Sequence, residues 1–494
     1  MIRNLLLNKM MRLLILLSLP LLIQASPDSA FQKLEIIRAV KSRPDHPYFI
    51  DFNAYPYQDP RLPIGMFDSG TGGLTVLQAV LKLDQFNNNS RLAGSDGISD
   101  FNGEDFIYLG DDANMPYGSY EGQGKTDFLK ELIIKDVLFL LGHKYYESGR
   151  DTLPRTDKPP VKAIVIACNT ATAYGYDLIR DALESWNLPI PVFGVIDGGA
   201  KSALSGWNTA RNGEVIGVMA TEGTCASMGY PRAICRHYQQ LTGDTTILVV
   251  QQPGIGLAGA IDQDRSYIDP QAAMVRGSDL YLGPTLDHPA FPIRMELWNA
   301  YRFDTTGHAL LIQRDSAGNP VRIEINSVTN YIRYAVTHLV DQILQRYPQG
   351  RLSRIILGCT HYPFFLDEFT AQLDYLRQLN PDYRRVIASD IELIDPAEAT
   401  AMELYRYLGE NHRTASDSSG HHRFFISVAN PLWPDVGLND NGKFTVAYKY
   451  QRSINQNRLD YKVVPITEKT LDPAVVGRIR TSMPVLSELI FSPR

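Results

Sequence analysis

Six short apolar runs, each followed by a polar tip and a helical pattern, constrain the fold of this chain more than any other feature. The runs contain four to six residues without polar alternation, and they are IGMF (64–67), FIYLG (106–110), AIVIA (163–167), PVFGVI (191–196), VIGVMA (215–220) and RIILG (354–358). Such runs are typical of strands that are buried on both faces of a parallel sheet. The segments between them carry helical spacing, as in residues 171–186. Strands that alternate with helices predict an α/β architecture, with ligands bound at the carboxyl ends of the strands.

The composition agrees with a globular protein of two or three domains. The chain has 494 residues, of which 44% are hydrophobic and 21% charged, with 37 glycines and 30 prolines. These values are ordinary and exclude a mainly disordered, collagen-like or coiled-coil chain. The formal net charge of −6 argues against a nucleic-acid-binding protein, because such proteins usually carry a basic excess. Four cysteines are too few for a disulfide scaffold, so each must be interpreted individually.

The first 25 residues have the pattern of a cleaved secretory signal. Basic residues precede an apolar stretch from Leu13 to Ile23, which is short for a membrane span, and Ala25 is a small residue at a candidate cleavage position. We therefore expect a periplasmic or secreted protein with no membrane association after cleavage. Two alternatives are an uncleaved membrane anchor and a start codon placed too early. The second would leave a cytoplasmic protein, since Met10 and Met11 follow.

One long segment, residues 263–350, interrupts the α/β pattern. It contains HALLIQRDSAGNPVRIEI, which alternates on both sides of a turn region at residues 315–320 and predicts a β-hairpin. An amphipathic helix follows, with its stripe at Ile332, Val336, Leu339, Val340 and Ile343. We interpret the segment as a structural insertion that covers or gates the site. Near the C-terminus, FFISVANPLW and KFTVAYKYQR are two further strand-like runs.

Two of the polar tips share one form: a buried strand, a cysteine, two polar residues and a predicted helix. The residues are Cys168, Asn169 and Thr170 after AIVIA, and Cys359, Thr360 and His361 after RIILG. A cysteine at a helix N-terminus gains from the partial positive charge there, which stabilises its thiolate. Either cysteine alone is better explained as a buried small residue. Two in matching settings instead predict one thiol on each side of a shared cleft.

Two further tips carry acidic residues and glycines. FDSGTGGL (67–74) offers the carboxylate of Asp68 and the hydroxyl of Ser69, and its glycines allow close backbone approach to a ligand. A phosphate loop fits poorly, because the glycine motifs of such loops are missing and an aspartate would repel an anion. Asp68 suits an ammonium group better. YLGDDANMPYG (108–118) brings a pair of acidic residues to a strand end, before Tyr117 and Gly118.

Together these motifs resemble those of the glutamate racemases, within the aspartate/glutamate racemase superfamily. The segments that carry the resemblance are IGMFDSGTGGLTVL, YLGDDANMPYG, ACNTATA, GVMATEGT, LGCTHYPFF and IELIDPAEATA, in the family's order. The resemblance implies two pseudo-symmetric, doubly wound α/β domains with the active site in the cleft between them. The ranges we expect are a signal peptide (1–25), an N-terminal leader that packs onto the core (26–61), racemase domain 1 (62–210), racemase domain 2 (211–387, with the insertion 263–350), and a return to domain 1 plus a C-terminal extension (388–494).

The resemblance also implies a cofactor-independent isomerase that interconverts L- and D-glutamate, an activity of cell-wall peptidoglycan synthesis. Cys168 and Cys359 match the two catalytic cysteines: one thiolate removes the Cα proton, and the opposite thiol donates a proton to the other face. By this analogy, Cys168 deprotonates the D-enantiomer and Cys359 the L-enantiomer. The substrate-binding residues implied are Asp68 and Ser69, Tyr117 and Gly118, Asn169 and Thr170, and Thr360 and His361. His361 is also a candidate acid or base beside its cysteine.

No cofactor and no metal are expected, and the ten histidines show no known metal-binding spacing. The expected partner is a small amino-acid substrate, with a homodimer left open. Two alternatives also stay open: a racemase of aspartate or another amino acid, and an exported amino-acid-binding protein without turnover.

The chain departs from the family in two respects that bear on the site. The family's usual GDTAR is GDDAN here, so Asp112 replaces a hydroxyl and Asn114 a cation, which changes the charge beside the cleft by about two units. Export would also expose the thiols to an oxidising compartment. Cys225 and Cys235, ten residues apart, would then either form a disulfide or remain as buried free thiols.

Overall fold

The computed structural model of the chain describes residues 34–207, 213–261, 263–277, 280–415 and 420–492. The predicted signal peptide lies outside the described residues. Among those that are described, no helix combines the length and the apolar character needed to cross a membrane.

The described strands form two main sheets and one hairpin. The strands are β1 (Ile64–Asp68), β2 (Phe106–Gly110), β3 (Ala163–Ile166), β4 (Val192–Gly194), β5 (Glu214–Ala220), β6 (Leu248–Pro253), β7 (Leu310–Arg314), β8 (Pro320–Ile325), β9 (Arg351–Gly358), β10 (Ile387–Ile394), β11 (Arg423–Ala429) and β12 (Tyr461–Pro465). The first sheet has the order β12-β11-β2-β1-β3-β4, and only the β11–β12 pair is antiparallel. The second sheet has the order β10-β9-β5-β6 and is parallel throughout.

Helices cover both faces of each sheet. They span Glu35–Ser42, Leu74–Lys82, Thr126–Leu141, Asn169–Ser185, Val195–Leu204, Glu222–Ala226, Gly229–Thr242, Leu257–Ile261, Trp298–Tyr301, Val328–Arg346, Leu366–Leu379, Pro381–Val386, Pro396–Glu410, Val446–Gln451, Pro473–Ser482 and Pro484–Phe491. Neighbouring residues of one strand therefore enter different cores: in β1, Met66 packs on one face of the first sheet and Phe67 on the other. In β5, Val218 and Met219 likewise pack into cores on opposite faces of the second sheet. The expectation of two doubly wound α/β units is confirmed.

The insertion contains the two elements that its sequence predicts. β7 and β8 pair in antiparallel fashion, which confirms the hairpin. The helix Val328–Arg346 buries its predicted stripe against the second sheet. One prediction near the C-terminus is wrong, because KFTVAYKYQR forms the helix Val446–Gln451 and not a strand. Thr445 explains the difference: its side chain accepts a hydrogen bond from the Tyr448 N–H and thereby caps a helix start.

Both ends of the described chain pack onto the first sheet. The leader helix Glu35–Ser42 buries Ile36, Ile37 and Val40 in one of its cores. At the other end, β11 pairs with β2 and β12 pairs with β11. Between them, β10 belongs to the second sheet and continues to Ile394, beyond the expected boundary at residue 387.

Candidate active site

The β1 loop (residues 69–73) begins at Asp68, at the carboxyl end of β1. The buried Asp68 carboxylate accepts hydrogen bonds through Oδ2 from the backbone N–H groups of Gly70, at 3.1 Å, and Gly73, at 2.9 Å. A Cβ added to Gly73 would lie 2.5 Å from the Asp68 Cβ and 2.9 Å from the Ala167 Cβ, so only glycine allows the chain to return this closely. One carboxylate oxygen of Asp68 therefore holds the loop in its shape.

Cys168 lies at the carboxyl end of the neighbouring strand and caps the helix Asn169–Ser185. Its sulfur accepts a hydrogen bond from the Ala171 N–H at 3.4 Å. Burial raises the pKa of Cys168 to about 12, with the nearby Asp68 charge acting in the same direction, and hydrogen bonds from Ala171 and Ser69 oppose the rise. The helix N-terminus was expected to stabilise a thiolate, and here burial outweighs it. At neutral pH this group is a thiol that is ready to donate a proton.

Cys359 occupies the matching position at the end of β9 in the second sheet. Its Sγ atom lies 3.6 Å from Nδ1 of His361, the contact that an acid–base partner requires. Thr360, between them, faces the first sheet: a Cβ added to Gly72 would lie 3.9 Å from the Thr360 Oγ1 and 3.5 Å from the Asp68 Oδ2. The tip of β9 and the β1 loop therefore lie beside each other.

Three further predicted residues lie where the two sheets approach each other. The Tyr230 hydroxyl, on the helix Gly229–Thr242, donates a hydrogen bond to Asn169 Oδ1 at 3.0 Å. A Cβ added to Gly118 would lie 3.8 Å from the Thr170 Oγ1 and 4.0 Å from the Gly223 Cα. Because Tyr230 and Gly223 follow β5, these contacts join the two sheets around the predicted site.

The Tyr117 side chain is buried, and its hydroxyl is bonded to two carboxyl groups of the protein. The hydroxyl oxygen lies 2.5 Å from Asp111 Oδ2 and 2.6 Å from Asp136 Oδ2. A phenol has one proton, so one of the two carboxyls must donate the other bond. Burial raises the pKa of both carboxyls, but hydrogen bonds from Ser427 and Asn114 oppose the rise for Asp111. For Asp136, burial and the Asp111 charge act together and raise the pKa well above its ordinary value. We therefore assign Asp136 as the proton donor to Tyr117.

The β2 loop (residues 111–118) separates the two acidic residues that its sequence places side by side. Asp111 is fully buried and accepts hydrogen bonds from Ser427 Oγ at 2.6 Å and Asn114 Nδ2 at 2.8 Å. Asp112 stays half-buried and pairs with Lys443 Nζ at 3.2 Å. Ser427 and Lys443 were not predicted as part of the site, because they lie more than 300 positions further along the chain. The sequence signals nearest to them were the two strand-like runs, FFISVANPLW for Ser427 and KFTVAYKYQR for Lys443.

All four cysteines are free thiols, so Cys225 and Cys235 do not form a disulfide. Within the described ranges, no group of three or more histidine, cysteine or carboxylate side chains has the arrangement of a metal site. A cavity of about 670 Å³ opens elsewhere on the first domain, between residues 47–56, the end of helix Thr126–Leu141 and β12. It contains none of the predicted site residues.

Comparison with known proteins identifies relatives of this chain. No family model matches it. The glutamate racemase of Clostridium novyi (strain NT) is 25% identical over 372 residues, which cover 75% of this chain and 93% of the relative. That of Geobacter metallireducens (strain ATCC 53774 / DSM 7210 / GS-15) is 27% identical over 374 residues, or 75% of this chain and 89% of the relative. The chain is a homologue of the glutamate racemases. The sequence similarity to glutamate racemases therefore covers three quarters of this chain and is not confined to the motifs.

Among solved structures, glutamate racemase isoform RacE1 from Bacillus anthracis is 23% identical to this racemase homologue, with a TM-score of 0.43. The match covers 74% of this chain and 89% of that protein. The strand order and pairing of this chain independently define its two-sheet α/β fold.

Proposed function

We propose that this chain is a cofactor-independent amino-acid racemase that interconverts L- and D-glutamate through Cys168 and Cys359. The observation that carries the proposal is a pair of buried thiols at equivalent strand ends, in a homologue of the glutamate racemases. Each thiol has a polar partner: Ser69 hydrogen-bonds to one, and His361 contacts the other. This pairing supports a two-base reaction.

The proposed reaction moves one proton on each face of the substrate. Starting from L-glutamate, the Cys359 thiolate takes the Cα proton, and the electron pair of that C–H bond remains on the substrate as a carbanion conjugated with its carboxylate. The Cys168 thiol then donates its proton to the opposite face, which gives D-glutamate, a Cys168 thiolate and a Cys359 thiol. His361 would accept the proton that Cys359 must first release. The reaction from D-glutamate runs through the same steps in reverse.

The remaining residues offer the groups that a dicarboxylic amino acid needs. Asp68 is the anion for the substrate ammonium, and a bound ammonium would also oppose the Asp68 charge that acts against a Cys168 thiolate. The hydroxyls of Ser69, Thr170 and Thr360 and the amide of Asn169 are donors for carboxylates. Glutamate, and not another amino acid, is proposed because the relatives are glutamate racemases.

The proposal is tested by Cα exchange in deuterium oxide. The reduced protein, residues 26–494, is given each enantiomer of glutamate and aspartate; proton NMR follows the Cα signal and circular dichroism follows the rotation. We expect loss of the Cα proton together with loss of rotation for glutamate. Cys168→Ala and Cys359→Ala should abolish racemisation in both directions, because each direction uses both groups.

Cys225→Ala is the matched control, since it removes another buried free thiol and should leave the rate unchanged. Turnover of glutamate that survives either active-site alanine would contradict the two-thiol mechanism. An unchanged Cα signal for every amino acid, with binding still detected by calorimetry, would instead identify a binding protein without turnover.

A further inference from the structure

The C-terminal segment (residues 423–492) lies against the loops that carry the proposed substrate-binding residues. β11 runs parallel to β2, with Ile426 beside Gly110, so the segment follows the strand that ends at the β2 loop. Ser427, next along β11, accepts a hydrogen bond from the Ala113 N–H at 2.9 Å and donates one to Asp111. The segment therefore contacts the first residues of the β2 loop through Ser427.

Arg452 is the most deeply buried cation in this contact. Its side chain is 1% exposed, and Nη2 donates hydrogen bonds to Asn114 Oδ1 at 2.7 Å and to the Tyr120 hydroxyl at 3.2 Å. Its charge is paired with Asp460, at 3.4 Å, and its guanidinium lies 4.6 Å from the centre of the Phe444 ring. The pairing with Asp460 lies within the C-terminal segment, so the bonds to Asn114 and Tyr120 are those that join the segment to the loop region.

A continuous chain of hydrogen bonds connects Arg452 to Tyr117. The Asn114 amide accepts from Arg452 through its oxygen and donates through its nitrogen to both oxygens of Asp111, at 2.8 and 3.0 Å. Asp111 in turn accepts from the Tyr117 hydroxyl. Every link is buried, where hydrogen bonds are strong and an unpaired partner is costly. Moving Arg452 would therefore disturb the residue next to Gly118.

Two lysines of the same segment hold the exposed side of the loop. Lys443 pairs with Asp112, and Lys449 donates to the Met115 carbonyl oxygen. The β1 loop is contacted as well: Arg478 Nη2, on the helix Pro473–Ser482, lies 3.4 Å from the Thr71 Oγ1. The segment thus contacts both loops that follow the central strands of the first sheet.

We propose that the C-terminal segment positions the substrate-binding loops, and that Arg452 is its principal positioning residue, acting on Tyr117 and Gly118 through Asn114. The effect on catalysis rests on the function proposed above, whereas the effect on the loop does not. Because Arg452 acts on a binding loop and not on the two thiols, its loss should weaken binding of the substrate and of the transition state to the same extent.

The test compares Arg452→Lys with Arg458→Lys in the full mature chain. Both arginines contact Asp460 Oδ2, at 3.4 and 3.5 Å, but among the described residues only Arg452 continues to Asn114. Lysine keeps the charge and loses the forked geometry. We expect Arg452→Lys to raise KM for both enantiomers of glutamate about tenfold with kcat little changed, and Arg458→Lys to leave both constants unchanged.

Backbone hydrogen–deuterium exchange gives a second readout that needs no turnover. Amides of residues 111–120 should exchange about tenfold faster in Arg452→Lys, and at the unchanged rate in Arg458→Lys. Asn114→Ala removes the same hydrogen bond from the loop side and should reproduce the faster exchange, which keeps the test available if Arg452→Lys does not fold.

The two proposals fail in distinguishable ways. A wild-type protein that racemises no amino acid overturns the proposed function, and the exchange rates then decide the role of Arg452 alone. A wild-type racemase whose Arg452→Lys and Arg458→Lys variants behave alike, in exchange and in KM, overturns the positioning role and leaves the proposed function standing. A fall in kcat at constant KM in Arg452→Lys would also contradict the positioning role, because that pattern points to the chemical step.

Discussion

At the scale of single residues, the buried Asp111–Tyr117–Asp136 cluster makes two aspartates chemically unlike each other. Asp111 accepts hydrogen bonds from Tyr117, Ser427 and Asn114, which an ionised carboxylate does well. Burial raises the pKa of both carboxyls, and the Asp111 charge raises that of Asp136 further, so Asp136 is the group that we assign as the donor to Tyr117. On this assignment, the cluster contains one anion and one neutral acid.

This difference predicts that asparagine at the two positions lowers the free energy of unfolding at pH 7 by different amounts. Asp136→Asn replaces a proton donor by an amide that can also donate to Tyr117, so we expect a loss of less than about 1 kcal/mol in the free energy of unfolding. Asp111→Asn turns an amide nitrogen towards two donors, and we expect a loss of about 3 kcal/mol. Urea denaturation measures both, and equal losses would show that the proton assignment is wrong.

Sequence reasoning predicted which residues lie at the strand ends but not which residues are bonded behind them. Cys168, Cys359 and Asp68 each follow an apolar run directly, so their places at strand ends could be predicted. The contact between Arg452 and Asn114 joins residues 338 positions apart, and neither lies in a periodic pattern that marks a shared site. Tyr117 was predicted as a binding residue because it matches the family motif, and that match does not indicate which groups its hydroxyl contacts.

At the scale of elements, the strands that are buried at every position were predictable, whereas the edge strands β6 and β10 were not. β1 and β2 are buried at every position, which is why their sequences contain no polar alternation. β10 is an edge strand with exposed residues near its centre, so its sequence IASDIELI mixes polar and apolar residues without an unbroken run. β6 is also an edge strand, and Gln251 and Gln252 interrupt its apolar run.

Two glycines in different elements should respond to alanine with opposite signs. Gly73 leaves no room for a Cβ beside Asp68, so Gly73→Ala should lower the free energy of unfolding by about 1–3 kcal/mol and reduce activity. Gly477 lies inside the helix Pro473–Ser482, and its added Cβ would meet no described atom within 4 Å beyond that helix's own backbone. Gly477→Ala should therefore raise stability by about 0.5–1 kcal/mol. Chemical denaturation compares them, and a shared sign would contradict the packing argument.

At the scale of the whole molecule, two buried thiols make stability depend on pH in the alkaline range. Burial raises the pKa of Cys168 and that of Cys225 to about 12. A thiol in the unfolded chain ionises near pH 8.5, roughly. Above that pH, the unfolded chain has released protons that the folded protein still holds, so the free energy of unfolding falls as pH rises, by up to about 1.4 kcal/mol per pH unit for each thiol.

Replacing either thiol should therefore flatten the decline. We expect Cys168→Ala and Cys225→Ala to lose stability less steeply than the wild type between about pH 9 and pH 10 in urea denaturation with a reductant present. Cys235→Ala removes a half-buried thiol and should have a smaller effect. Curves that stay parallel for all four proteins would show that neither thiol holds its proton as proposed.

Because β11 lies between β2 and β12 in the first sheet, that sheet can be completed only after the C-terminal strands have been synthesised. A chain that emerges N-terminus first presents β1 to β4 early, but the partner for the outer edge of β2 begins only at residue 423. At ribosomal speed, residues 111–422 take roughly 15 to 60 seconds to make, during which that edge has no strand beside it. All four strands of the second sheet, in residues 214–394, appear within that interval and can pair with one another. An unpaired edge is a template for aggregation, so the half of the protein that is synthesised first is the half that stays vulnerable longest.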